Sequence, residues 1–416
     1  MHWRVQWRVQ RQVQRPWQWL TAATLLVAVL PCNAQVPDWS LAAQQRLFGA
    51  SSTAVEAQRA QRRALLEDGE RRLASGDAAA AQARFDQAAL MLHAPDTEAL
   101  LVRSYMQAGD YRRALAFGAH AAGAHRREWP AGQALYVWLL QIGGQGVVAR
   151  RLLDDALALA PDDAALLAAR SQLATDWPRA DGVLRLPPLR IAPYAVGDAV
   201  PAGARVVGSA LLLATGDAAL VPASVLGATA TDDAAIWLRN GLGQTVQARR
   251  AGQDESVGLV RLRLLAPLPV SPLAEADRAP FAGSPGYMVE YAPSSGTAAA
   301  WPLLRQGFFA RQGNGPGQRL LGIQAPAGPR GGPVFNAAGH LAGMAVTAAD
   351  GTDRLLPVAL LAERFPALAL TPAHPAHPAH PAGLPASAAL AGPQRADADA
   401  VYEQALRHAL QVLVSP

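Results

Sequence analysis

The sequence predicts a multidomain chain, all-α in its first part and all-β in its second. Three observations carry this. Between residues 50 and 175 the pattern is helical, and a Gly/Ala motif recurs at spacings of 33 and 35 residues. From Arg205 the apolar runs become short and are broken by Gly, Pro, Asn and Asp, as in a barrel or sandwich of many strands. Pro-rich stretches set the regions apart. The expected boundaries are a leader over 1–34, helical repeats over 45–175, a linker over 176–202, a β domain over 203–365, a low-complexity linker over 366–395 and a C-terminal amphipathic helix over 396–416.

The leader is basic up to Trp19. An apolar run of eleven follows, Leu20 to Leu30, and Pro31 ends it before the small residues of Cys32-Asn33-Ala34. This is the pattern of a secretory signal peptide cleaved after Ala34, too short for a permanent span. A retained N-terminal anchor is the alternative. Export to a bacterial periplasm, or beyond it, is the expected localisation, with no membrane span after cleavage. Cys32 is the only cysteine, so the mature chain is expected to hold no disulfide. The sequence pI near 9.8 suggests nucleic acid. However, Arg4, Arg8, Arg11 and Arg15 lie in the leader. Without those four of the 37 basic residues, 33 Arg face 32 Asp and Glu, and the Arg are dispersed. No nucleic-acid partner is expected.

In the helical region Gly76, Gly109 and Gly144 each sit five residues before a small residue: Ala81, Ala114 and Ala149. Seven residues further come Ala88, Ala121 and Ala156, and Pro161 closes the third unit. The Gly is expected to make a turn between two helices, the Ala to let them approach, and the Pro to stop the second. Ala164 to Ala174 is the expected capping helix. The pattern resembles the tetratricopeptide repeat family. The third unit matches best, through Tyr136, Leu140, Gly144, Ala149, Leu153, Ala156 and Pro161. The second departs at Gly118, where a large aromatic is usual. The first has Phe85 there but lacks a well-placed Pro. A plain helical bundle rich in Ala is the alternative. The resemblance implies a concave surface for a protein or peptide partner.

Trp177 to Pro201 holds five Pro and no helical period. In the β region the apolar runs include VVGSALLLA, AIWLRN, VGLVRLRLL, GYMVEYA, RLLGIQA and HLAGMAVTA. Beyond it, AHPAHPAHPAG places His374, His377 and His380 at a period of three, one edge of a polyproline II helix. That edge suits weak metal binding, but a semi-rigid linker is the preferred reading. No cofactor and no metal are assigned. Asp397 to Val414 reads as an amphipathic helix with Val401, Tyr402, Ala405, Leu406, Ala409, Leu410 and Leu413 on one face.

LGIQAPAGPRGGPVFNAAGHLAGMAV carries the sharpest motif. Gly328, Gly331, Gly332, Pro333, Asn336, Gly339 and Gly343 fall where the trypsin-like proteases, and most closely their HtrA/Deg-type branch, have G-N-S-G-G-P-L-x-N-x-x-G-x-V-V-G. VVGSALLLATGDAALVPASVL, ESVGLVRLRL and GYMVEYAPSSG resemble earlier stretches of the same branch. The resemblance covers about 160 residues and implies a double β-barrel. It also places the catalytic positions. The His falls on Ser224, the Asp on Ser256 and the nucleophilic Ser on Arg330, so all three are replaced.

Acyl transfer on this template needs a hydroxyl, an imidazole and a carboxylate. Arg is always protonated and is no nucleophile. His340 is the only His between 200 and 370, at a hairpin turn away from the expected cleft, and the mature chain offers no Lys or Cys. If residues 254–256 form a strand, Asp254 shares a face with Ser256 and approximates the Asp position. The backbone N–H groups of Gly328 and Arg330 could still form an oxyanion-like nest, or the glycines only preserve a barrel corner. Arg330 could hook an external carboxylate, or Asp254 or Glu255 could quench it. The expected function is a non-catalytic exported adaptor. The alternatives are an active serine endopeptidase with a non-standard site and a purely structural scaffold.

Overall fold

A computed structural model describes residues 52–126, 129–175, 192–227, 234–276, 278–312, 319–366 and 396–415. The expected leader, the first part of the first linker and the His-Pro run, with His374, His377 and His380, lie outside them. The chain divides into two compact units, Met1–Ala57 and Gln58–Pro416. Of the first, only the opening turns of a helix are described.

Helices pair into three hairpins: α1 (Ser52–Ala74) with α2 (Ala78–Met91), α3 (Pro95–Ala108) with α4 (Tyr111–Ala124), and α5 (Pro130–Ile142) with α6 (Gly146–Leu159). The expected turn glycines do make the turns. Gly76, Gly109 and Gly144 have φ of +89°, +81° and +80°, where a side chain is disfavoured. Asp77 and Asp110 then cap the following helices, accepting from the N–H groups of Ala80 and Arg113. Ala81, Ala114, Ala149, Ala88, Ala121 and Ala156 are all buried between helices. Gly118, the departure from the repeat pattern, has a packing reason: a Cβ there would lie 3.0 Å from Leu139. The third hairpin ends one residue before Ala160-Pro161, and α7 (Ala164–Leu173), capped by Asp163, closes the stack.

The β part opens with a two-residue strand, β1 (Val196–Gly197). β2 (Arg205–Leu212), β3 (Ala218–Pro222) and the short helix α8 (Ala223–Leu226) follow, then β4 (Ile236–Asn240), β5 (Gln244–Asp254) and β6 (Leu259–Leu264). The second sheet takes β7 (Pro285–Glu290), β8 (Leu303–Phe308), β9 (Arg319–Leu320), β10 (Pro333–Asn336), β11 (Leu341–Thr347) and β12 (Asp353–Pro357). Helix α9 (Val358–Arg364) ends it.

After the low-complexity stretch comes α10 (Ala398–His408), and here the sequence expectation fails. The helix stops at His408, and Ala409–Val414 forms a strand, β13. β13 lies between β2 and β4 and is hydrogen-bonded to both. Its six residues are all buried. A slot with backbone donors and acceptors on both sides decides the conformation, because those groups go unpaired if the chain continues as a helix. The β domain is therefore not the continuous stretch 203–365: its first sheet needs the C-terminus.

The first sheet runs β1-β5-β4-β13-β2-β3-β6, and pairing of β5 with β6 closes six of these strands into a barrel. The second runs β8-β7-β10-β11-β12-β9 and stays open, a half-barrel. The pair is compatible with a trypsin-like double barrel.

The helical stack packs on the β part through its hairpin turns. A Cβ on Gly76 would meet Val196, one on Gly109 would meet Leu242 and Arg407, and one on Gly144 would meet Leu304. Tyr111 and Tyr402 stack edge to face at 4.5 Å, and Trp138 meets Trp301 at 5.5 Å. Arg112 pairs with Glu403. One apolar cluster runs from Leu73 in α1 through these contacts to Leu361 in α9. The described end of the first linker is bound as well. Arg103 donates to the Ala192 carbonyl, and Gln107 accepts from the Tyr194 N–H. Among the described residues no helix is long and apolar enough to cross a membrane.

Candidate functional site

The three positions of the expected triad lie on adjoining elements. Pro222, at the end of β3, pairs with Leu259 at the start of β6. The Ala223 N–H donates to the Gly258 carbonyl. Thus α8, which carries Ser224, sits beside the turn that carries Ser256. Gly331 abuts β2 and the start of α8: a Cβ there would lie 2.0 Å from the Ser209 carbonyl oxygen and 3.2 Å from Pro222. A Cβ on Gly332 would lie 2.0 Å from the Val289 oxygen. These two glycines let the loop pass between the sheets at backbone contact, as the barrel-corner reading expects.

The side chains do not assemble a catalytic group. Ser224 is exposed. Ser256 is exposed too, and both its N–H and its hydroxyl donate to Asp254 Oδ1. Residues 255–258 form a turn rather than a strand, so the shared strand face expected for Asp254 and Ser256 does not exist. Hydrogen bonding from the Ser256 hydroxyl lowers the Asp254 carboxyl below its ordinary range.

Arg330 is only 2% exposed. Its Nη1 donates to Glu290 Oε2 at 2.9 Å and Oε1 at 3.2 Å, and its Nε donates to Asp353 Oδ2 at 3.0 Å. Glu290 is 2% exposed and also accepts from Arg305 at 2.8 Å. The guanidinium does grip carboxylates, but they belong to the chain itself. An external hook is thereby corrected, and so is the choice of quenching residues: they are Glu290 and Asp353, not Asp254 or Glu255. One of the two expected nest donors is taken as well. The Arg330 N–H donates to Thr347 Oγ1 at 3.0 Å, and that hydroxyl donates to Asp353 Oδ1 at 2.9 Å. The one sequence signal for this arrangement is Glu290 inside the apolar run GYMVEYA, a buried acid that demands a partner.

No protein-family model and no curated protein matches the chain.

One imidazole from beyond residue 370 does reach the β region. His340 is at the expected hairpin turn, between β10 and β11. But the C-terminal return brings His408 into the barrel, where its Nε2 lies 3.1 Å from Ser271 Oγ. Burial pushes this imidazole down to about 4. A base so weak is poorly matched to neutral pH. Among the described residues no carboxylate bonds to it.

Two further features belong to the helical part. Ala119, Ala122, Tyr136 and Leu152, with Arg126 and Asp155 among the other lining residues, border a groove of about 360 Å³ between α4, α5 and α6. His93, His120 and His125 gather round Glu98, a grouping the sequence reading missed.

Proposed function

We propose that this is an exported, non-catalytic protein-binding adaptor of the bacterial envelope. In this reading the β part is a trypsin-like domain whose triad has been dismantled, and the helical hairpins are tetratricopeptide-type repeats. The observation that carries it is Arg330. The side chain at the nucleophile position is a buried cation held by Glu290 and Asp353, and the positions for base and orienter hold Ser224 and Ser256. The leader supports export, and the apolar groove with its polar rim offers a surface for a peptide or protein segment.

The experiment is capture from an envelope extract with the wild-type chain and with Ala119→Glu, which puts a carboxylate into the groove. The adaptor reading expects a stoichiometric partner that the variant loses. No partner with the wild type, or equal capture by both, leaves the scaffold reading in its place.

A second reading, hydrolysis at a non-standard site, rests on the Ser271–His408 contact. Against it stand the depressed basicity of His408 and the missing orienting carboxylate.

A further inference from the structure

Four potential metal ligands meet at one place in the helical part. His93 lies in the connection between α2 and α3, Glu98 in the first turn of α3, and His120 near the end of α4. His125 is the C-cap of α4. The Nε2 atoms of His93 and His120 lie 2.6 and 3.6 Å from Glu98 Oε1, and Nε2 of His125 lies 3.5 Å from Glu98 Oε2. The ligand atoms of His93, Glu98 and His125 are all within 4.8 Å of one another.

Glu98 is the informative member. It is 2% exposed, and neither carboxylate oxygen receives a hydrogen bond. A buried carboxylate without donors costs several kcal/mol. Imidazolium partners answer this badly, because the rings crowd one another: His93 lies 5.2 Å from His125 and 5.7 Å from His120, centre to centre. Three imidazoliums around one carboxylate would set like charges 5.2–5.7 Å apart and leave the cluster with two uncompensated positive charges. A divalent ion at a shared centre resolves both problems. It takes a lone pair from each neutral imidazole and needs no hydrogen on any of them.

We propose that His93, Glu98, His120 and His125 bind one first-row divalent cation, with Zn²⁺ the best fit. A tetrahedral ion with bonds of about 2.0–2.2 Å keeps its ligand atoms about 3.3–3.6 Å apart. Two of the three distances to Glu98 already meet this, while the His120 ligand atom is not within 4.8 Å of all the other three, so its half-exposed ring must swing inward to complete the set. The third distance involves His93, whose half-exposed ring on a connecting segment is free to withdraw by under about 1 Å. Three imidazoles and a carboxylate without thiolate suit Zn²⁺, with Cu²⁺ and Ni²⁺ as competitors, whereas Mg²⁺ and Ca²⁺ prefer all-oxygen sets. Four protein donors close the coordination sphere, the mark of a structural site. The ion would tie the α2–α3 connection and the start of α3 to the end of α4. The 14 residues of α3 put it about 20 Å from the hairpin turns that meet the β part.

The test uses the untagged full chain, stripped with a chelator, with His374, His377 and His380 replaced by Ala to remove the other His-rich stretch. Zn²⁺ is titrated in competition with a chromophoric chelator, and melting is followed with and without the ion. The expected result is one Zn²⁺ per chain, a higher melting temperature with Zn²⁺, and no effect of Mg²⁺. Glu98→Gln and His120→Ala should each weaken binding at least tenfold. His120 is half exposed, so His120→Ala keeps the test valid if Glu98→Gln fails to fold. The proposal is overturned if no stoichiometric binding occurs, or if binding is unchanged in both variants. It is equally overturned if Zn²⁺ binds only when the three C-terminal histidines are present.

Discussion

Arg330 Nη1 lies 2.9 Å from Glu290 Oε2, and both side chains are 2% exposed. A buried pair of this kind is more costly to break than it is beneficial to have. Arg330→Ser should therefore not restore an enzyme. It should lower stability by about 3 kcal/mol, at the low end for a broken buried pair because Arg305 stays on Glu290. Combining Arg330→Met with Glu290→Gln should recover part of that loss. Chemical denaturation of the single and double variants measures both.

The glycines of the same loop should differ sharply in tolerance. A Cβ on Gly331 or Gly332 would strike a backbone oxygen at 2.0 Å. Gly331→Ala and Gly332→Ala should each cost about 3 kcal/mol, or prevent folding, since neither sheet can yield without moving its ladder. At Gly328 no atom lies within 4 Å of the added Cβ, although φ is +142°. Gly328→Ala should cost only the backbone strain, about 1 kcal/mol. Denaturant midpoints of the three variants test this order.

The C-terminal strand should be indispensable. Leu410 and Val412 are fully buried in the barrel interior. Leu410→Ala should cost about 3 kcal/mol. Ending the chain after His408 should abolish cooperative unfolding of the β part, because β2 and β4 then lose a shared neighbour. Near-ultraviolet circular dichroism during thermal melting reads the outcome. A truncated chain that melts like the wild type would refute this topology.

His408 makes a pH prediction. Burial lowers it from 6.5 to about 4. Between those values the unfolded chain takes up a proton that the folded chain refuses, so stability falls as pH falls. The loss approaches about 3 kcal/mol by pH 4, and stability from this group is flat above about pH 6.5. His408→Leu should remove the slope in that window. Asp350, held at about 2 by hydrogen bonding from Thr352, acts only at more acidic pH and does not obscure it. Stability curves at pH 7, 6, 5 and 4 provide the comparison.

How much was legible in the sequence follows from where each signal lives. Gly76, Gly109 and Gly144 announced their turns because a local residue decides a local φ. Arg330 stood out as the odd residue in the glycine-rich stretch 328–332, but its partners did not. Glu290 and Asp353 lie 40 and 23 residues away along the chain and meet it only through the sheet. ALQVLV could not be assigned, because a short apolar run fits a buried strand and a helix face equally well. The neighbouring slot decided it, and that slot is built from residues about 200 positions earlier. The His93–Glu98–His120–His125 group escaped because its members come in two pairs, each five residues apart, on different elements that only the packing of α3 on α4 brings together.

The most direct measurement of the central claim is labelling by a fluorophosphonate probe of the wild-type chain, Arg330→Ser and Ser271→Ala, beside an active serine protease. Because the one hydroxyl–imidazole contact described, Ser271–His408, has a base pushed down to about 4 by burial and no orienting carboxylate, all three should stay unlabelled while the control reacts. Labelling of the wild type that Ser271→Ala abolishes would contradict the account and place an active site at Ser271–His408.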